Sequence, residues 1–277
     1  MRYYSLVLAL FLFATLSCQS QTEEMQESEW KGFKRLDFSL DKRDVRLIIP
    51  PKPLNEKPWV WRARFPDYHS ELDSLLVSEG FHIAYINTDN QFGSPKAGEV
   101  WNTFYEYMTT TYQLQKKVVL SCHSRGGLFV YNWAKKNPEK IACIYADAPV
   151  CDFKSWPAGF GNSKGSRNDW RTLKAEYGFG SDEETKAFAD NPIDNLEALA
   201  AAKVPILHTV GLQDKVVPPE ENSFLLVNKY IRLGGSAMVS PCTEGEQKSE
   251  GHHYPIENPR LIADFIKYHA IKYTHAP

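Results

Sequence analysis

The chain has no excess of charge of either sign. Its 32 Lys and Arg against 34 Asp and Glu leave a net charge of −2 and a pI near 6.5, which gives no electrostatic reason to expect a nucleic-acid partner. It has no Cys-x-x-Cys or His-x-x-x-His spacing, so no metal site is marked, and nothing in it asks for a cofactor. It has no internal repeat and no low-complexity segment, which excludes solenoid and fibrous architectures. It has no apolar run long enough to cross a bilayer. The one pronounced apolar stretch, Leu6 to Leu16, follows Met1-Arg2 and ends at Ser17-Cys18, the pattern of an export signal over residues 1–18. Thr15-Leu16-Ser17-Cys18 resembles a bacterial lipobox, which would place a lipid anchor on Cys18 and the protein in the periplasm or on the outer-membrane surface. The polar residues after it suggest a tether over 19–33. Four further cysteines (Cys122, Cys143, Cys151 and Cys242) allow three disulfide connectivities, and the sequence chooses none.

What is present is an ordinary globular composition, 43% hydrophobic and 24% charged, over 277 residues, enough for one large domain. From about residue 34 short β-branched or aromatic runs alternate with helical spacings. Strands are expected within 34–50, at Trp59-Val60-Trp61, Phe81–Ile86, Val118–Leu120, Ile141–Ala146, Val204–Val210 and Ala237-Met238-Val239. Helices are expected over His69–Glu79, Trp101–Tyr112, Leu128–Lys136, Asn195–Ala202, Glu220–Leu233 and Asn258–Ile271. This alternation predicts a mostly parallel sheet with helices on both faces, a three-layer α/β domain over 34–277. The rhythm fails over 149–195, which is rich in Gly, Trp, Phe and Asp and suggests a cap.

The densest chemical signal is Cys122-His123-Ser124-Arg125-Gly126-Gly127, set between an expected strand and an expected helix. A nucleophilic serine on such a turn needs small residues two before and two after it, here Cys122 and Gly126. The amide of Arg125 then lies at a helix start, where it can donate to a developing oxyanion. A serine nucleophile also needs a base and an orienting carboxylate. Gly211-Leu212-Gln213-Asp214 and Gly251-His252-His253 each follow an expected strand. Loops after parallel strands emerge at one edge of the sheet, so Ser124, Asp214 and one of the two histidines can meet. Asp147, after the Ile141–Ala146 strand, is a lesser candidate for the acid. His123 reads as a pocket or packing residue and His208 as a core histidine.

These motifs resemble the α/β-hydrolase fold from about residue 45 to 270. The resemblance implies a Ser-Asp-His hydrolase with nucleophile Ser124, acid Asp214 and base His252, with His253 as the alternate base. It also implies a cap inserted after the strand that follows the nucleophile helix, here 149–195. The second oxyanion amide should lie near Arg64 or Phe65, although no glycine marks the place. Arg62 and Arg64 can grip a substrate carboxylate or pair with acidic residues of the fold, and Trp156 and Trp170 can form a sugar platform or anchor the cap. With the export signal, the whole resembles the exported accessory esterases that Bacteroidetes use on polysaccharides. A prolyl-oligopeptidase-like peptidase and a catalytically inactive glycan-binding module are the alternatives.

Overall fold

The computed structural model describes residues 25–271, so the expected signal segment and Cys18 lie outside the described residues. Nine strands form one sheet in the order β1-β2-β3-β5-β4-β6-β7-β8-β9. The first three, β1 (Gln26–Trp30), β2 (Phe33–Leu40) and β3 (Arg43–Ile49), are an antiparallel meander. The remaining six, β4 (Trp59–Arg62), β5 (His82–Ile86), β6 (Val118–His123), β7 (Ile141–Asp147), β8 (Ile206–Gly211) and β9 (Ala237–Cys242), run parallel to one another.

The meander corrects the expected tether. Residues 26–33 are not a free linker, because Gln26–Trp30 pairs along its whole length with β2. The hairpin turns at Lys31-Gly32, with φ +50° and +81°, the two positive dihedrals of a type I′ turn. Trp30 and Phe33 pack on each other with ring centroids 6.4 Å apart. An edge strand is held by backbone pairing, so its polar composition did not announce it.

Each central strand feeds two cores, because successive side chains point to opposite faces. Leu120 and Cys122 on β6 pack with Trp59 and Trp61 in one layer, while Val119 and Val60 enter the other. The first layer is covered by α2 (Pro95–Thr110), α3 (Gly126–Ala134), α6 (Glu197–Ala201) and α7 (Ser223–Arg232). The second lies under α1 (Ser70–Ser78) and α8 (Pro259–Ile271). Segment 149–195 carries α4 (Arg167–Tyr177) and α5 (Asp182–Ala187) and buries its own cluster, Phe153, Trp156, Trp170 and Leu173, against Leu128 of α3 and Val217. Lys135 at the end of α3 donates to Asp190 Oδ1 at 2.7 Å and to the Asn191 carbonyl at 2.7 Å, which pins the end of this segment to the domain. No helix among the described residues is long and apolar enough to cross a membrane. Cys122, Cys143, Cys151 and Cys242 are buried thiols without disulfides.

Candidate active site

Three loops at the carboxyl edge of the parallel strands converge on one point. Ser124 follows β6 directly and holds φ +53°, a left-handed conformation that costs a non-glycine residue energy. The turn is held by its neighbours: Ser124 N–H donates to the Asp147 carbonyl at 2.9 Å, and its own carbonyl accepts from Val150 N–H at 2.9 Å and Gly127 N–H at 3.0 Å. A Cβ at Gly126 would stand 2.9 Å from that of Cys122. Close approach between the strand end and the helix start therefore requires a small residue at both positions, and cysteine is small enough for one of them.

Asp214 lies in the loop after β8. Its Oδ1 accepts from Val216 N–H and Val217 N–H, each at 2.8 Å, which aims Oδ2 at His252 Nδ1, 2.6 Å away. A carboxylate only accepts, so Nδ1 carries the proton and Nε2 is left as an acceptor. That nitrogen stands 2.9 Å from Ser124 Oγ. The loops of acid and base touch through Gly251, whose φ is +87° and whose Cβ, if present, would lie 2.5 Å from the Gln213 carbonyl oxygen. Gly251→Ala is accordingly expected to push His252 away from Asp214. A misplacement of this kind costs up to about 100-fold in rate, and a fall in kcat together with Tm in the purified variant would check it.

Of the two adjacent histidines the structure brings His252 to the serine. His253 turns away: its Nδ1 is 3.1 Å from Ser249 Oγ, and its ring packs on Tyr68. Asp147 does not reach His252. It is buried at the centre of a second network, where Oδ2 accepts from His69 Nδ1 and His123 Nδ1, both at 3.0 Å. Its Oδ1 accepts from Thr209 Oγ1 at 2.9 Å and Tyr254 Oη at 2.6 Å. Burial alone would push the Asp147 carboxyl up, but the donors on His123 and His69 hold it well below the usual carboxylate range. Burial also lowers His69, yet its hydrogen bond to Asp147 outweighs this and leaves the imidazole above its ordinary value. For His123, deeper burial wins and the ring is held below it. His69 and Tyr254 were not foreseen, since nothing in their local sequence joins them to Asp147, and neither was Tyr68, whose ring packs on His123 and His253.

Arg125, the residue after the serine, is the amino-terminal cap of α3. The Ala63 N–H still pairs with the Ser121 carbonyl at 2.9 Å, so residues 64 and 65 leave the sheet beside Ser124, with Phe65 at φ +52°.

The arginines and tryptophans divide. Arg62 is not available to a substrate: it is buried, forms an ion pair with Asp73 at 3.4 Å, and donates to the carbonyls of Tyr68 at 2.6 Å and Phe65 at 3.2 Å. It ties down the loop that carries Phe65. Trp170 is likewise an internal anchor of the cap, packed on Phe153 and Phe160 and donating from Nε1 to Asp182 at 3.1 Å. Trp156 is also buried, with its ring 5.2 Å from the Arg125 guanidinium. Neither ring is an open sugar platform, because the cap packs over both. Arg64 stays half-exposed at the edge.

Among the described residues, His123, His252 and His253 each offer a ring nitrogen within 4.8 Å of the others. His252 is bonded through both nitrogens to Ser124 and Asp214, so an ion there would have to break the contact to the serine. The cluster suits proton transfer better than metal retention.

Residues 90–269, well over half of the chain, match the model of the prolyl oligopeptidase family. No curated protein sequence matches the chain. Among solved structures it is similar to an acylaminoacyl peptidase of Pyrococcus horikoshii (14% identity, TM-score 0.61), covering 94% of this chain and 43% of that one. Porphyromonas gingivalis dipeptidyl peptidase 4 (12%, TM-score 0.61) is matched over 90% of this chain and 36% of its own. An acetyl xylan esterase of Paenibacillus sp. R4 (14%, TM-score 0.63) is matched over 91% and 89% respectively. The chain thus spans less than half the length of those peptidases and most of the esterase. At these identities the likeness speaks for the fold, whereas the family match spans the serine turn and both partner loops. The chain has the α/β-hydrolase fold and belongs to the prolyl oligopeptidase family.

Proposed function

We propose that this protein is a serine esterase acting on a carbohydrate ester through an acyl-enzyme, with Ser124 as nucleophile, His252 as base and Asp214 as its orienting acid. The observation that carries the reading is the unbroken chain from Asp214 Oδ2 through His252 to Ser124 Oγ, at 2.6 and 2.9 Å. Ser124 Oγ attacks the ester carbonyl while its proton passes to His252 Nε2. The Arg125 amide and an amide at Arg64 or Phe65 receive the oxyanion. The tetrahedral adduct collapses, and His252 returns the proton to the departing alkoxide. Water then repeats the sequence on the acyl-enzyme, releasing the acid and restoring Ser124. The similarity to acetyl xylan esterase, which runs over most of both chains, favours an ester over a peptide bond. Action outside the cytoplasm, on the export reading of residues 1–18, belongs to the same proposal.

The family match favours a second reading, cleavage of a peptide bond. A panel of p-nitrophenyl acetate, acetylated and methyl-esterified glycans and a prolyl anilide separates the two, and turnover of the anilide alone would sink the esterase reading. Within the panel, His252→Ala is expected to lower kcat by about 10³-fold or more. His253→Ala should stay within about threefold, because its ring makes no bond to serine or acid. Equal losses in the two variants would overturn the assignment of the base.

A further inference from the structure

Two guanidinium groups flank the serine turn, and their surroundings differ in one respect. Arg125 is neutralised and caged: Nη1 donates to Asp169 Oδ1 at 3.0 Å and Asn90 Oδ1 at 3.2 Å. The rings of Trp156, Phe92 and Phe65 lie 5.2, 5.6 and 5.8 Å from its central carbon. Arg64 shares the Phe65 ring at 5.3 Å but forms no ion pair with another of the described residues. Its guanidinium donates to Asn87 Oδ1 over a long 3.5 Å. The Tyr85 hydroxyl hydrogen-bonds to it, and Asp89 attracts it from a distance while pairing with Arg43 at 3.8 Å. The Nε of Arg64 and that of Arg125 are both buried without a hydrogen-bond partner.

Such an arrangement is costly for the protein alone. Burial lowers the Arg64 pKa below its ordinary value and the like charge of Arg125 adds to this, against the raising effects of Tyr85 and Asp89; a partly buried cation without an ion-pair partner is usually eliminated or paired. Its Cβ lies 3.6 Å from the place a Cβ at Gly126 would take, at the wall of the α3 amino end two residues past the nucleophile, where the positive dipole adds to its charge. A planar fork of donors at that place fits a carboxylate.

We infer that Arg64, backed by Arg125 and the Phe65 ring, forms an anion subsite beside Ser124, and that the ester cleaved by this protein carries a carboxylate. The inference rests on the esterase reading and narrows its substrate class to acidic esters. This cation is then the half of an ion pair that the substrate completes. Asp169 keeps Arg125 from repelling Arg64 at full strength while leaving the local charge positive.

The test compares kcat/KM for matched neutral and anionic esters in two arms. On the acyl side, 4-nitrophenyl 4-carboxybenzoate is set against 4-nitrophenyl 4-methylbenzoate. On the alcohol side, an O-acetylated methyl hexuronoside with a free carboxylate is set against the O-acetylated methyl hexoside. In at least one arm the anionic-to-neutral ratio is expected to fall about tenfold or more from wild type to Arg64→Met, the size of one charge-assisted hydrogen bond. It should fall less in Arg64→Lys, which keeps the charge and loses the fork, and it should shrink as NaCl rises to 0.5 M. A ratio unchanged by Arg64→Met and by salt in both arms overturns the subsite. If no ester is turned over, the esterase reading fails, and the subsite is read by calorimetric titration with sodium glucuronate against glucose. Glucuronate binding that is lost in Arg64→Met supports the subsite, and absence of binding to wild type overturns it.

Discussion

Ser124→Ala is expected to leave the fold intact and lower kcat on any ester substrate by about 10⁴-fold or more, because residues that act as one catalytic unit lose most of their effect when any one is removed. Alanine keeps the Cβ, and the turn is held by backbone bonds from Ser124 to Asp147, Val150 and Gly127, none of which uses the hydroxyl. The Tm should therefore stay within a few degrees of wild type or rise, since removing a functional group from a strained site commonly relieves it. Asp214→Asn is expected to cost nearly as much rate by another route. An asparagine whose oxygen keeps the Val216 and Val217 amides presents NH₂ to His252 Nδ1, which favours the tautomer that cannot accept the serine proton. The measurement is kcat against the ester panel, with circular dichroism to verify folding. Full activity in Ser124→Ala would end the acyl-enzyme proposal.

The second large effect concerns stability. Asp147→Asn is expected to destabilise the protein by about 3–5 kcal/mol, the range for breaking a buried, paired charge by removing one partner, and to lower Tm by about 10 °C. Its carboxylate receives four donors, from His69, His123, Thr209 and Tyr254. An amide presents two donors of its own to one of those pairs, so a satisfied network becomes a frustrated one.

The same region makes the fold acid-sensitive. Because Asp147 is held well below the usual carboxylate range, its contribution is complete above about pH 4, the unfolded value, and is lost below it. Burial lowers His208 to about 3 and His82 to about 4. The unfolded chain therefore binds protons at these histidines below pH 6.5 that the folded chain refuses, and stability falls between pH 6.5 and about 4. His69, held above its ordinary value, works in the opposite sense: its contribution is present below pH 6.5 and fades as pH rises above it. The net expectation is a loss of about 3–5 kcal/mol from pH 7.5 to 4.5, read by urea unfolding at the two values. Equal stability at both would contradict the buried neutral state of His82 and His208.

Much of this molecule was legible because its signals are local. The run Val118-Val119-Leu120 must be a strand, and a serine flanked at two residues' distance by Cys122 and Gly126 needs only its own neighbours to be recognised as a turn. Chain order and position after strands were enough to nominate Asp214 and the Gly251-His252-His253 turn, because parallel strands deliver such loops to one edge. The cap was visible only as a loss of rhythm.

Other features depended on what lies opposite in space. Whether His252 or His253 faces the serine is decided by the contact of Gly251 with the Gln213 carbonyl, a neighbour 38 residues away in sequence. Arg62 and Arg64 are two positions apart and were indistinguishable as letters. Strand β4 ends between them, so Arg62 turns inward to Asp73 while Arg64 remains at the edge without an ion-pair partner among the described residues. Asp147 was equally ambiguous, because a carboxylate after a strand can serve a triad or a structural network, and only its four donors separate the two. The sequence by itself therefore determined the parallel part of the sheet, the serine turn and the order of its partners, all of which follow from short-range periodicity and backbone geometry. Which histidine reaches the serine, which arginine stays at the sheet edge and which carboxylate sits in a network of four donors were decided by the tertiary structure, since each depends on the partner that packing supplies.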